Sequence, residues 1–403
     1  MKGFKSFFLI LFLAAAALSA QQSERALSLI TVHPGDAIYS AFGHTAFRYV
    51  DQAKGIDRLY NYGTFDFRDP EFVPKFVHGQ LDYFLGIANF TRALNDYSMA
   101  EDRTVVEQKL NLTPDEITQV VYFLTENALP ENRYYKYDFI KDNCSTRIQT
   151  VFENSLGNDI LYDQGVIARI GEKSYRDYIR YHLKKSPWFD FGIQLVLGMP
   201  LDQKVLPSGS FFLPGLVYNI IEGSTLGDGR KLVSSTETLY RSTTDPIFDP
   251  LNDPKNDPIK ISPALLLFSL MLVAELFLIY LGCIRKKSWA SRALSCYEYT
   301  LVILNFIAGL LIFYLWFISD HTATKGNLNL LWCSPLSLIF LITFFTKGSG
   351  QKILRWISVF MAAMCVLFAL IMIAGIQTAC GPFIPLLILY AAVFGRRLFI
   401  SLS

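Results

Sequence analysis

The sequence predicts an α+β exported domain followed by a multi-span α-helical membrane domain. Three observations carry this. Charge divides the chain near residue 262: residues 1–261 hold 27 Lys/Arg and 32 Asp/Glu, whereas residues 262–403 hold 10 and 3. The first twenty residues have the pattern of an export signal. Between signal and tail, strand-like alternation is interleaved with capped helical patterns.

Composition agrees. Apolar residues make up 52% and charged residues 18%, fewer charges than a soluble domain carries. Neither half has the Lys/Arg density of a nucleic-acid binder, so no nucleic-acid partner is expected. Disorder, collagen-like fibres and coiled coils are excluded for the chain as a whole.

Lys2 and Lys5 form a positive n-region, and Phe7 to Leu18 an apolar h-region. Ala17-Leu18-Ser19 or Leu18-Ser19-Ala20 offers a small-residue cleavage site. No Cys directly follows the h-region, which argues against a lipoprotein signal. Cleaved or not, the segment directs the downstream chain out of the cytoplasm.

In the exported part, residues 26–32, 44–50, 58–62, 81–88 and 103–112 read as strands. The second and third form a hairpin around Lys54-Gly55. Thr113-Pro114-Asp115-Glu116 is a helix start, with a capping box and proline at the first helical position. That helix should reach about Asn127. Asp142 or Asn143 opens another, with Ile148, Val151, Phe152 and Leu156 on one face. The organisation expected is a signal peptide (1–20), an exported domain (21–234), a linker (235–261) and a membrane domain (262–403). In the linker Asp-Pro recurs at 245–246, 249–250, 253–254 and 257–258. Proline at that spacing forbids helix and favours an extended strap.

The tail holds about five apolar stretches: 263–284, 298–319, 328–346, 356–376 and 382–395. Most approach the length needed to cross a bilayer. Loops with Arg285, Lys286, Lys287 and Arg292, with Lys347, Lys352 and Arg355, and with Arg396 and Arg397 alternate with loops poor in charge. The positive-inside rule puts the exported domain outside and the C-terminus inside. Glu275 lies within the first span, where a carboxylate should face the bundle interior and bond another helix.

Five of six cysteines (283, 296, 333, 365, 380) lie in the tail. Cys144 is alone in the exported domain and has no disulfide partner there. It opens a helix, in Asp142-Asn-Cys-Ser-Thr-Arg147. Free N–H groups and the helix dipole at that end stabilise a thiolate and could hold an oxyanion. A thiol nucleophile wants a histidine base. His44 begins a strand after Gly43 and is preferred over His33, His78 and His182. Across the hairpin, Asn61 falls opposite His44 to Ala46 and is the favoured third member, with Tyr62 and Asp66 nearby. Asn143 and Ser145 beside the thiol, Tyr62 beside Asn61, and His321 and Asn327 in the outer loop 319–329 are candidate substrate contacts. That loop would meet head groups or dock the exported domain. No metal and no organic cofactor is expected.

These motifs carry a resemblance. His before Cys, in "FGHTAFRY" and "DNCSTR", resembles the circularly permuted NlpC/P60 or lecithin:retinol acyltransferase-like branch of the papain superfamily. "GHTAFRYVD", "YNYGTFDF", "DYFLGIANF" and "YKYDFIKDNCSTR", with membrane spans after them, resemble the Lnb family, lipoprotein N-acyltransferases of Bacteroides-like bacteria. The resemblance implies a permuted papain-like catalytic domain in the periplasm, on a multi-pass protein of the bacterial inner membrane. It implies a phospholipid acyl donor in the bilayer and a diacylglyceryl lipoprotein acceptor. His44 would deprotonate Cys144, which would take the acyl chain as a thioester and pass it to the lipoprotein α-amine. A Cys-dependent phospholipase, a peptidoglycan peptidase or amidase, and a non-enzymatic scaffold are the alternatives.

Overall fold

The computed structural model describes residues 25–66, 68–244, 251 and 262–400. The expected signal peptide and the four Asp-Pro pairs lie outside the described residues. In chain order the elements are β1 (Arg25–Val32), β2 (His44–Asp51), β3 (Ile56–Thr64), α1 (Phe72–His78), β4 (Asp82–Asn89) and α2 (Phe90–Asn95). Next come β5 (Val105–Leu110), α3 (Pro114–Asn127), β6 (Tyr134–Lys136), α4 (Cys144–Leu156), β7 (Ile160–Leu161) and α5 (Gln164–Ile170). Then follow α6 (Tyr175–Leu183), α7 (Pro187–Val196), α8 (Pro214–Gly223), β8 (Thr225–Leu226) and β9 (Val233–Tyr240). The C-terminal helices are α9 (Pro263–Ile279), α10 (Ser288–Phe317), α11 (Ser337–Thr343), α12 (Ser349–Ile373) and α13 (Phe383–Ile400).

Two compact units result. The first contains residues up to 69, 81–172 and 206–252; the second contains 70–80, 173–205 and 253–403. Two stretches of the exported sequence, carrying α1, α6 and α7, therefore group with the apolar helices.

The first unit is built on a seven-stranded antiparallel sheet in the order β6-β4-β3-β2-β1-β5-β9. The β2–β3 turn closes where expected. Asp51 accepts from the Lys54 N–H at 3.2 Å, and Gly55 takes the left-handed conformation at φ 60°. The register pairs Asp51 with Ile56 and Phe47 with Tyr60. β1 lies between β2 and β5 and buries Leu27, Leu29, Ile30 and Val32. Phe152 of α4 meets Phe47 of β2 edge-on, with ring centroids 5.2 Å apart. The α3 cap is complete: Thr113 Oγ1 accepts from the Glu116 N–H at 3.3 Å, and Glu116 accepts from the Thr113 N–H at 2.7 Å.

The linker expected at 235–261 overlaps a strand at its start. Residues 233–240 form β9, paired with β5. Its Ser/Thr-rich sequence hid it, because an edge strand with solvated side chains lacks the apolar alternation that marks a half-buried one.

Among the described residues, the second unit contains three helices long and apolar enough to cross a membrane: Pro263–Ile284, Ser288–Phe317 and Ser349–Ile373. The expected span 328–346 is instead broken. Leu328–Leu331 form a short 3-10 turn and α11 has only 7 residues. Pro335 removes a helical donor. Gly309 of α10 admits this irregular backbone: a Cβ there would lie 2.6 Å from the Ser334 carbonyl carbon. Irregular backbone among apolar helices is tolerated where protein covers it. Glu275 faces the interior and is fully buried, near Glu298, which pairs with Arg396 and Arg397 of α13.

Within this unit, loop 319–329 holds the exported-sequence segments. Tyr314 bonds His78 Nδ1 at 2.7 Å, and the Asp320 N–H donates to the His78 carbonyl at 2.7 Å. His321 Nε2 donates to the Phe76 carbonyl at 2.8 Å. At the other end of the loop, Asn327 Nδ2 and Asn329 Nδ2 both donate to the Leu195 carbonyl of α7, at 2.8 and 3.1 Å. Arg176 of α6 is buried and forks onto Asp202 at 2.9 Å while donating to Gln194 of α7 at 2.8 Å.

Candidate active site

The site in the first unit begins with a helix cap. Asn143 is extended (φ −137°, ψ −176°), and its Oδ1 accepts from the N–H groups of Ser145 at 2.7 Å and Thr146 at 3.1 Å. Its Nδ2 donates to the carbonyls of Phe139 at 2.7 Å and Phe212 at 3.0 Å. Asp142 and Arg147 clamp the same turn through two hydrogen bonds at 2.5 and 2.6 Å. This fixes Cys144 as the first residue of α4.

His44 is the first residue of β2. Gly43 before it has φ +81°, and a Cβ there would stand 2.8 Å from the Val32 carbonyl oxygen. Only glycine turns the chain into the strand at that point. From the neighbouring strand, Asn61 brings its Oδ1 to 2.5 Å from His44 Nε2. With the amide oxygen as acceptor, the imidazole carries its proton on Nε2 and keeps a lone pair on Nδ1.

Gly63 shows how close the two side chains come. It breaks the β3–β4 register at φ +88°, and its Cβ position lies 3.6 Å from Cys144 Cβ and 4.0 Å from His44 Cε1. The Tyr135 hydroxyl is also 4.0 Å from that point. The β2–β3 ladder starts only at Phe47, and the Thr45 N–H is directed at the Cys144 thiol. Ser145 Oγ lies 3.8 Å from Sγ.

Cys144 and His44 keep partial exposure but are densely surrounded by protein. Burial lowers the His44 pKa to about 4, helped by the positive charge of Arg103 and opposed by the Asn61 bond. Burial likewise raises the Cys144 thiol above its usual value, against the N–H of Thr45, the Ser145 hydroxyl and the N–H groups of Cys144 and Ser145. Desolvation outweighs the helix end and favours the neutral forms of both groups.

Four sequence-derived contacts need correction. Asn143 spends both amide hydrogens and its oxygen on backbone, so it is a cap and tether rather than a substrate contact. Tyr62 is buried and donates to Asn127 Oδ1 at 3.0 Å. Asn327 is fully buried and bound to Leu195, Asn329 and Gln377. Ser145 is buried too, and its N–H is taken by Asn143. This leaves the Thr45 and Cys144 N–H groups as the backbone donors beside the thiol. His321 and Asn327 belong to the second unit, Cys144 to the first.

The sequence reading missed Thr45, Gly63 and Arg103. A glycine inside a strand signals close backbone approach, so Gly63 could have been found. Arg103 could not. It is buried against the His33 carbonyl at 2.8 Å and Glu101 at 2.7 Å. It stacks on Tyr97, whose ring centroid is 6.4 Å from that of His44.

Residues 15–171 match the family model described as the Lnb N-terminal periplasmic domain, and residues 255–402 match the Lnb transmembrane domain. The first stretch includes His44, Asn61 and Cys144. No curated protein and no solved structure matches the chain.

Proposed function

Because this chain is an Lnb-type protein, a membrane protein with a periplasmic domain and transmembrane helices, we propose that it is a lipoprotein N-acyltransferase working through a Cys-His centre. The observation that carries the reading is the approach of both Cys144 and the Asn61-bonded His44 to Gly63, in the part matched by the periplasmic model. A sheet-borne histidine facing a thiol at a helix start also supports a permuted papain-like fold. The alternation of basic and neutral loops supports a multi-pass protein of the inner membrane with the thiol on the periplasmic side.

In the first half-reaction His44 Nδ1 takes the Cys144 proton as sulfur attacks the ester carbonyl of a phospholipid. The N–H groups of Thr45 and Cys144 stabilise the oxyanion. The ester C–O bond breaks, the proton passes from His44 to the departing oxygen, and a lysophospholipid leaves. In the second half-reaction the α-amine of a diacylglyceryl-cysteine attacks the thioester and gives its proton to His44. The C–S bond breaks, the amide forms and the thiol is restored. A neutral pair suits this cycle, since each attack begins with an unprotonated base. Asn61 holds the imidazole in the required tautomer.

The test is mass spectrometry of an N-terminal lipopeptide from a strain lacking its own N-acyltransferase, with wild-type protein and Cys144→Ala. A third acyl chain only with the wild type is expected. No added chain from stably expressed wild type, with release of free fatty acid, would replace the reading by phospholipid hydrolysis.

A further inference from the structure

The second unit contains a cavity of ≈140 Å³ between α9 and α10, with Phe268 and Met271 on one side, Leu301, Leu304 and Ala308 on the other, and Trp332 and Tyr390 behind. Its polar groups are already committed. Asn305 donates to the Trp332 carbonyl at 2.9 Å and accepts from the Ser334 N–H at 3.3 Å. The Tyr390 hydroxyl donates to the Leu301 carbonyl at 3.0 Å, and Cys333 Sγ to the Asn305 carbonyl at 3.4 Å. The rest of the lining is apolar, so a water there would find fewer than its usual number of partners. Apolar cavities of about 150 Å³ remain dry and accept apolar guests.

The walls are buried, but Leu304 at the rim is 52% exposed. Both flanking helices are long and apolar enough to cross a membrane. The mouth thus opens sideways, onto the face that lipid covers. Leu195 of α7 closes it from the loop side. α7 is seated there by ring contacts of Phe191 with Phe268 at 4.9 Å and Phe383 at 5.2 Å. Asn327 and Asn329 grip the Leu195 carbonyl, so these two amides position the roof. Phe268 lies roughly 8 Å along α9 from its first residue, within one leaflet's hydrocarbon depth.

We propose that this cavity holds one acyl chain of a membrane phospholipid, entering laterally past Leu304. Its size admits part of a single chain, and phospholipid, the bulk component of a bilayer, is the lipid that a mouth on this face meets. The assignment rests on the phospholipid-donor reading above.

The experiment uses full-length Cys144→Ala protein in phosphatidylethanolamine vesicles containing a phospholipid with a mid-chain diazirine. After illumination, labelled peptides are identified by mass spectrometry. Labelling should concentrate on residues 268–271 and 301–308. Leu304→Trp, which plugs the mouth, should lower it about tenfold, while Leu311→Trp on the same helix should not. Labelling spread evenly over the helices, or unchanged by Leu304→Trp, overturns the proposal. Displacement of the label by a diacylglyceryl lipopeptide, but not by plain phospholipid, overturns the choice of occupant. Because Cys144→Ala cannot turn over, site-selective loading alongside a wild type that transfers no acyl chain would refute the acyltransferase reading and leave the cavity's role standing.

Discussion

His44 Nε2 and Asn61 Oδ1 meet at 2.5 Å across two neighbouring antiparallel strands. The contact fixes which imidazole nitrogen keeps its lone pair. It depends on register: Asn61 comes directly after Tyr60, the partner of Phe47, and so falls level with the start of β2.

Loss of this bond should be felt in turnover more than in stability. Asn61→Ala removes one hydrogen bond of about 1–3 kcal/mol, and kcat should fall roughly 10- to 100-fold. The melting temperature should move little. Unchanged kcat with a folded variant would remove Asn61 from the mechanism.

The pH profile should carry the mark of Arg103. With the His44 pKa at about 4, activity should hold well below pH 6.5 and decline only near pH 4. Arg103→Gln deletes a positive charge, which favours the imidazolium, raises the pKa and moves the acid limb to higher pH. A limb that stays put, in a variant whose circular dichroism is unaltered, would contradict the assigned influence.

Asn143→Ala should be a stability variant. It deletes a cap worth about 1 kcal/mol and strands the buried carbonyls of Phe139 and Phe212, at about 1–3 kcal/mol each. Thermal unfolding should drop markedly, and Asn143→Asp should recover only the capping part. A neutral Asn143→Ala would mean that the tether is not needed.

Gly43 and Gly55 form an internal comparison. Both have positive φ, but a Cβ at Gly43 strikes the Val32 carbonyl while one at Gly55 meets open space. Each alanine variant should cost about 1–2 kcal/mol for the left-handed backbone. Only Gly43→Ala should also lower activity, by displacing His44. Equal activity in both would show that the start of β2 tolerates the shift.

Local patterns were readable in the sequence. The Thr113 capping box, the hairpin at Gly55 and the helix opening at Cys144 each depend on residues within a few positions. The pairing of His44 with Asn61 was readable because a hairpin's register can be counted. The misread residues have distant partners. Asn143 looked free until Phe212 was brought to it, and Tyr62 until Asn127 was. The pull of Arg103 on His44 depends on packing that no periodicity reveals. The upward shift of the thiol was not readable, because the helix end is visible in the sequence and the depth of burial is not. Apolarity alone marked 328–346 as a span, yet Pro335 and the close approach at Gly309 break it.

The chain passes repeatedly between its two units, lending α1, α6 and α7 to the apolar helices and returning each time to the sheet. The gene therefore has no single cut that separates them. A fragment ending at the Asp-Pro segment would keep Cys144, His44 and Asn61 but leave Phe191 and Trp188 of α7 without the Phe268 and Phe383 rings they pack on. Such a protein would be prone to aggregate even with every residue of the thiol centre intact. Recombination, too, could exchange this protein's parts only as a whole.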